Sequence, residues 1–224
     1  MNKLNLAIPL LFSISTFTQA SIITFDNLSS FVTSTSAIAT TALPNTGLLA
    51  GSASSSQTVG DLTFSITSPS FGLFFGTAGS SVAPAPWTSR LAGNQIGISD
   101  SENLNIEMIN HVSSFGFEFV EPENDPNMNG TFIDSIFEVT LLGNGSFIES
   151  FIFNANNDVA AFVGVSSDVA FNRVEIRELT GGPENEFFGL FYTSPVPVPT
   201  AVWLFGTSLA GLLGFKRQKI NIYS

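Results

Sequence analysis

The chain has no cysteine. That excludes disulfides, thiol nucleophiles and Cys-ligated zinc, and it leaves stability to the packed core. Histidine is nearly absent too: His111 stands alone, so any His-dependent triad or zinc centre would have to be built on it. No G-x-S-x-G or H-E-x-x-H pattern occurs. Charge is scarce at 11%, and lysine is missing between Lys3 and Lys216. Residues 21–194 carry three basic residues (Arg90, Arg173 and Arg177) against 18 acidic ones, a formal charge of −15 (3 minus 18), compared with −11 for the whole chain. Such a surface excludes nucleic acid as a partner, because phosphate recognition needs clustered Lys and Arg. It suits solubility outside the cell, or cation binding. What is abundant is apolar: 44% hydrophobic residues and 23 Phe. That composition excludes a disordered chain and predicts a large aromatic core.

The two ends differ from the middle. Met1-Asn2-Lys3, an apolar stretch over 4–17 and Thr18-Gln19-Ala20 form a basic start, a short apolar segment and a small residue before Ser21. These are the parts of a secretory signal peptide, residues 1–20, read by the Sec translocase and cut between Ala20 and Ser21. The apolar stretch is too short and too rich in Ser and Thr for a good membrane span. At the other end, Pro195-Val196-Pro197-Val198-Pro199 is a stiff extended linker. An uncharged apolar run follows over 200–215, then Lys216-Arg217-Gln218-Lys219. Counted from Val196 the run has 20 residues, enough to span, with its basic end in the cytoplasm and Trp203 as an interfacial anchor. Residues 220–224 are then a short cytoplasmic tail.

The order of Val196, Pro197, Val198, Pro199, Trp203, a small-residue-rich apolar helix and the stop Lys216, Arg217, Lys219 resembles the PEP-CTERM sorting signal. The resemblance covers 195–219. It implies that an exosortase, a membrane-embedded cysteine protease-transpeptidase, recognises and removes the tail. It also implies a transient stay in the inner membrane, then the cell surface or extracellular space among exopolysaccharide. The sequence departs from the family at Val198, where the motif has Glu, and in the five residues after the basic cluster.

The middle, 21–194, reads as one domain of short strands. Residues 29–59 are rich in Ser, Thr, Ala and Gly and read as a long loop or an irregular strand entry. From Asp61 on, strands are expected over 62–66, 71–75, 95–99, 103–109, 115–119, 133–142, 146–153, 160–165, 171–178 and 186–192. Phe115, Phe117 and Phe119 share one face by period-2 alternation. Gly143-Asn144-Gly145 is a hairpin turn, since Asn and Gly tolerate positive φ. No helix of useful length is expected between 21 and 194. The fold expected is all-β: an antiparallel β-sandwich, jelly-roll-like, with an immunoglobulin-like sandwich as second choice.

Chemistry is sparse. Glu118, Glu121, Glu123 and Asp125, with two prolines and the oxygens of Asn124, Asn127 and Asn129, have the ligand types of a calcium loop without EF-hand spacing, and read first as a solvated acidic loop. In many jelly-roll carbohydrate-binding modules a structural calcium lies near both chain ends. Asp26, after the first strand, and Glu184 and Glu186, before the last, are the candidate ligands here. Trp87, in a Pro-rich loop, is the candidate sugar platform. No catalytic constellation emerges. The leading reading is a non-enzymatic, exosortase-sorted surface or matrix protein contributing to biofilm structure. The alternatives are a carbohydrate-binding module with a structural calcium, or a glycosidase using two carboxylates.

Overall fold

Alternating apolar and polar residues become strand pairing in β5 and β9, whereas β6 is buried at every position. The computed structural model describes residues 20–49, 56–67, 72–76, 91–99, 103–121, 134–156, 159–180, 186–196, 205 and 207–210. In chain order the elements are β1 (Ile22–Phe25), α1 (Leu28–Thr35), β2 (Ile38–Ala39), β3 (Gly47–Leu49), β4 (Ser56–Val59), β5 (Leu62–Ile66), β6 (Gly72–Gly76), β7 (Gln95–Ser99), β8 (Leu104–Val120), β9 (Ile136–Gly143), β10 (Ser146–Phe153), β11 (Ala161–Thr180) and β12 (Phe187–Pro195).

Among the described residues every strand pair is antiparallel, and the strands form a jelly-roll-like sandwich. Two long strands belong to both layers. The first half of β8 lies between β5 and the second half of β11; its second half lies between β12 and the first half of β11. One layer therefore runs β1-β11-β8-β12-β7-β6-β3, with β2 beside the end of β12. The other runs β10-β9-β11-β8-β5-β4. The strands change layer where their register breaks: at the exposed Ile109, Asn110 and His111 of β8, and between Ser166 and Phe171 of β11. Strands that turn a corner between sheets in this way are one solution to closing a sandwich.

The core is aromatic, as the composition predicts. Phe137 of β9 meets Phe119 of β8 edge-on, with centroids 5.1 Å apart, and stacks on Phe153 of β10 at 5.1 Å. Phe64 of β5 packs on Phe75 and Phe191 of the facing layer. In β9, Phe137, Val139 and Leu141 are buried while Ile136, Glu138 and Thr140 are half-exposed, the expected alternation. The turn after β9 has Asn144 at φ 51 and Gly145 at φ 81, the positive pair a tight hairpin needs.

A second, smaller apolar cluster lies on the outer face of the first layer. Asn27 caps α1 by accepting the Ser30 N–H, and Ser36 ends the helix in the left-handed region at φ 55. The helix buries Phe31 against Phe25 and Phe162. Leu28, Phe31 and Val32 fall at helical spacing behind that cap. The loop or irregular strand entry expected over 29–59 is thus corrected at its start. Its first part is a two-turn helix held by the Asn27 cap and a buried ring, and β2, β3 and β4 follow.

Two further expectations are corrected. The segments 103–109 and 115–119 are one bent strand, as are 160–165 and 171–178. The polar residues between them mark corners rather than turns. The acidic run is not a solvated loop at its start: Glu118 lies within β8, and Glu121 is buried with Oε1 accepting the Ser135 N–H at 2.7 Å.

Candidate functional site

Three features of the fold bear on function. The first is the end of the sandwich where the chain enters and leaves. Residues Ile23, Ser166, Ser114 and Ser194 form one row across β1, β11, β8 and β12. The chain enters β1 just before this row and leaves β12 just after it. Ser21 donates its N–H to Asp168 Oδ1 (2.9 Å) and accepts the Asp168 N–H (3.2 Å). Pro195 pairs with Val112, and its carbonyl accepts the Ser113 hydroxyl at 3.3 Å. The start and finish of the domain lie three strand spacings apart, about 14 Å. Exposed apolar side chains gather on the same elements: Ile23, Ile38, Ile109, Val169 and Val196. A cleft of about 330 Å³ opens beside Ile38, lined also by His111, Asp61, Met108, Thr193 and Pro195.

The second feature is a groove on the open side of the sandwich, between the finish of β1 and the finish of β10. About 570 Å³ is lined by Thr24, Phe25, Asp26, Phe151, Phe153, Asn154 and Asn156, together with the start of β11. It continues past Asn154 and Asn156 into a further 540 Å³ bounded by Asp134. Asn154 Nδ2 donates to both carboxylate oxygens of Asp134 at 3.2 Å, which fixes this part of the rim.

The third is the outer face of the second layer. Arg173 bridges Glu107 (3.0 Å) and Glu175 (2.6 Å), and Arg177 binds Glu175 (2.9 Å), Asn105 and the Leu104 carbonyl. Burial lowers the Arg177 pKa, opposed by Glu175 and assisted by Arg173. Both guanidinium groups are neutralised by neighbouring carboxylates, so this face is not an anion site.

Asp26 lies in the groove, while Glu186 is fully buried at the start of β12. β11 and β8 stand between β1 and β12, which sets the two backbones about 14 Å apart across the sheet, and Phe25, the neighbour of Asp26, lies level with Tyr192, six residues along the chain from Glu186. Ligands of one calcium lie about 2.3–2.6 Å from the ion, so Asp26 and Glu186 do not share a coordination sphere. Among the described residues, no three His, Asp or Glu side chains are grouped to hold a metal ion. Glu184, Trp87, and Pro197, Val198, Pro199, Trp203, Lys216, Arg217 and Lys219 of the sorting motif lie outside the described residues. So do residues 1–19 of the signal. Of the run 200–215, Phe205 and residues 207–210 are helical and exposed. Among the described residues no helix is long and apolar enough to cross a membrane.

Sequence reading missed the groove. Its rim comes from three distant segments, and residues 154–156 fall between the expected strands 146–153 and 160–165. It also missed the Glu118–Tyr192 neighbourhood: burial raises the Glu118 pKa, and burial followed by the Glu118 charge raises that of Tyr192.

No family model and no curated protein matches the chain. Among solved structures it is similar to variants of a family 29 carbohydrate-binding module. One match has 9% identity and a TM-score of 0.32, covering 70% of this chain and 89% of that one. Another, complexed with mannohexaose, has 10% identity and a TM-score of 0.32, covering 71% and 93%. At these scores the likeness carries no argument about this chain.

Proposed function

We propose that this chain is an exported, exosortase-processed surface or matrix protein without catalytic activity. In this reading it is held at the inner membrane before release among exopolysaccharide. The observation that supports it is the shared end. The secretory segment precedes Ser21 and the apolar run follows Val196, and both strands that carry them open on the same side of the sandwich. Thr200 is four residues from Val196, a reach of about 14 Å when extended. A chain threaded through the membrane at either end therefore keeps this side of the domain at the membrane surface. Ile38, Ile109 and Val169 then meet the interfacial zone, and the acidic body points outward. The exposed Phe205 and Leu209 fit a segment made for lipid rather than for this core.

Intact-mass analysis of protein recovered from the producing cell's surface tests this. The expected species begins at Ser21 and has lost the run 200–215. A surface species that still ends at Ser224 rejects the sorting assignment.

A further inference from the structure

We propose that the groove between the finish of β1 and the finish of β10 binds a neutral oligosaccharide. The proposal goes beyond the export reading and does not depend on it.

The rim is made of carboxylate, amide and hydroxyl groups: Thr24, Asp26, Asp134, Asn154 and Asn156. Such groups supply the donors and acceptors that vicinal sugar hydroxyls need. Phe25, Phe151 and Phe153 line the groove as half-buried rings, an apolar surface for the C–H face of a pyranose. Among the described residues no Lys or Arg lines it, and Asp26 and Asp134 make it acidic. A polyuronate, a phosphate or a nucleotide would meet like charge with no cation to offset it. The charge pattern therefore selects a neutral polymer over an anionic one.

The site is held in place before any ligand arrives. Asn154 is fixed on Asp134. Phe153 is stacked on Phe137 in the core. Asp26 sits between the last paired residue of β1 and the Asn27 cap of α1. These contacts lower the ordering cost of binding at Asn154 and Phe153. The groove begins at Thr24, one residue along β1 from Ile23 of the row at the shared end, and runs away from that row through Phe25 to Asp26.

Affinity electrophoresis of the full-length chain in a zwitterionic, sugar-free detergent tests this. Gels carry a soluble β-glucan, mannan, galactan or xylan, or a polyuronate. Retardation by at least one neutral polymer and none by the polyuronate is expected. Asn156→Ala and Asp26→Ala should each weaken it at least tenfold, while Glu107→Ala, which does not line the groove, leaves it unchanged. Asn156 is exposed, so its variant keeps the fold, which an unchanged melting temperature verifies. No retardation by any neutral polymer overturns the proposal. So does retardation that survives both groove substitutions, or stronger retardation by the polyuronate. A retained tail in the mass analysis would leave this result standing.

Discussion

Gly164 of β11 stands directly opposite Gly116 of β8, and the rings of Phe31 and Phe162 rest on the pair. A Cβ on Gly164 would lie 2.7 Å from Phe162 Cε1 and 2.9 Å from Phe31 Cδ2. One on Gly116 would lie 2.6 Å from Phe162 Cζ. The two glycines form the notch that lets α1 dock on the sheet. Gly164→Ala should therefore cost about 1–3 kcal/mol, the usual penalty for overpacking. Thermal denaturation measures it, and an unchanged melting temperature would remove the notch as the reason for glycine here.

Glu121 should distinguish hydrogen bonding from charge. Its Oε1 accepts the buried Ser135 N–H at 2.7 Å. Glu121→Ala leaves that donor without its acceptor, at a cost of about 1–3 kcal/mol. Glu121→Gln keeps an acceptor oxygen and should lose clearly less in denaturant unfolding. Equal losses would show that the bond contributes nothing specific.

Glu118 gives a pH dependence of definite sign. Burial raises its pKa above the ordinary value of 4.5, so the folded chain holds this proton more tightly than the unfolded one. Its contribution is fully present below 4.5 and is lost as pH rises through the folded value. Glu118→Gln should remove that fall and raise the melting temperature at neutral pH relative to the parent. Parallel melting-temperature profiles for the two proteins would refute the assignment.

The β9–β10 turn should be sensitive to backbone chemistry alone. Gly145 sits at φ 81, and no atom lies within 4 Å of where a Cβ would stand, so space is not limiting. Gly145→Ala should cost about 1–2 kcal/mol from the left-handed conformation. Gly93→Ala, also open and at φ 77, is the matched comparison in chemical denaturation. No loss at either position would mean the positive φ is not enforced.

Much of the fold is legible in the sequence, because strand patterning is local. The alternation of β9 and the Asn144-Gly145 turn each follow from neighbours along the chain, and the spans of β7 and β10 are readable to the residue. The helix α1 is not: eight residues carry weak periodicity, and its stability comes from Phe31 packing on two glycines more than 80 positions away. The continuity of β8 and β11 is hidden because a corner and a turn use the same polar residues.

The site divides in the same way. By itself the sequence determined the acidic, cysteine-free, lysine-free body, its strand content, and the signal-like and sorting-like patterns at its ends. Only the tertiary structure decided which residues meet. It separated Asp26 from Glu186 by inserting β11 and β8 between their strands, and it brought Asp26 to Asn154, Asn156 and Asp134 instead. It also brought the two ends of the domain to one side. The physical reason is that side-chain alternation is written within each strand, whereas the choice of partner strand rests on packing between segments far apart in the chain.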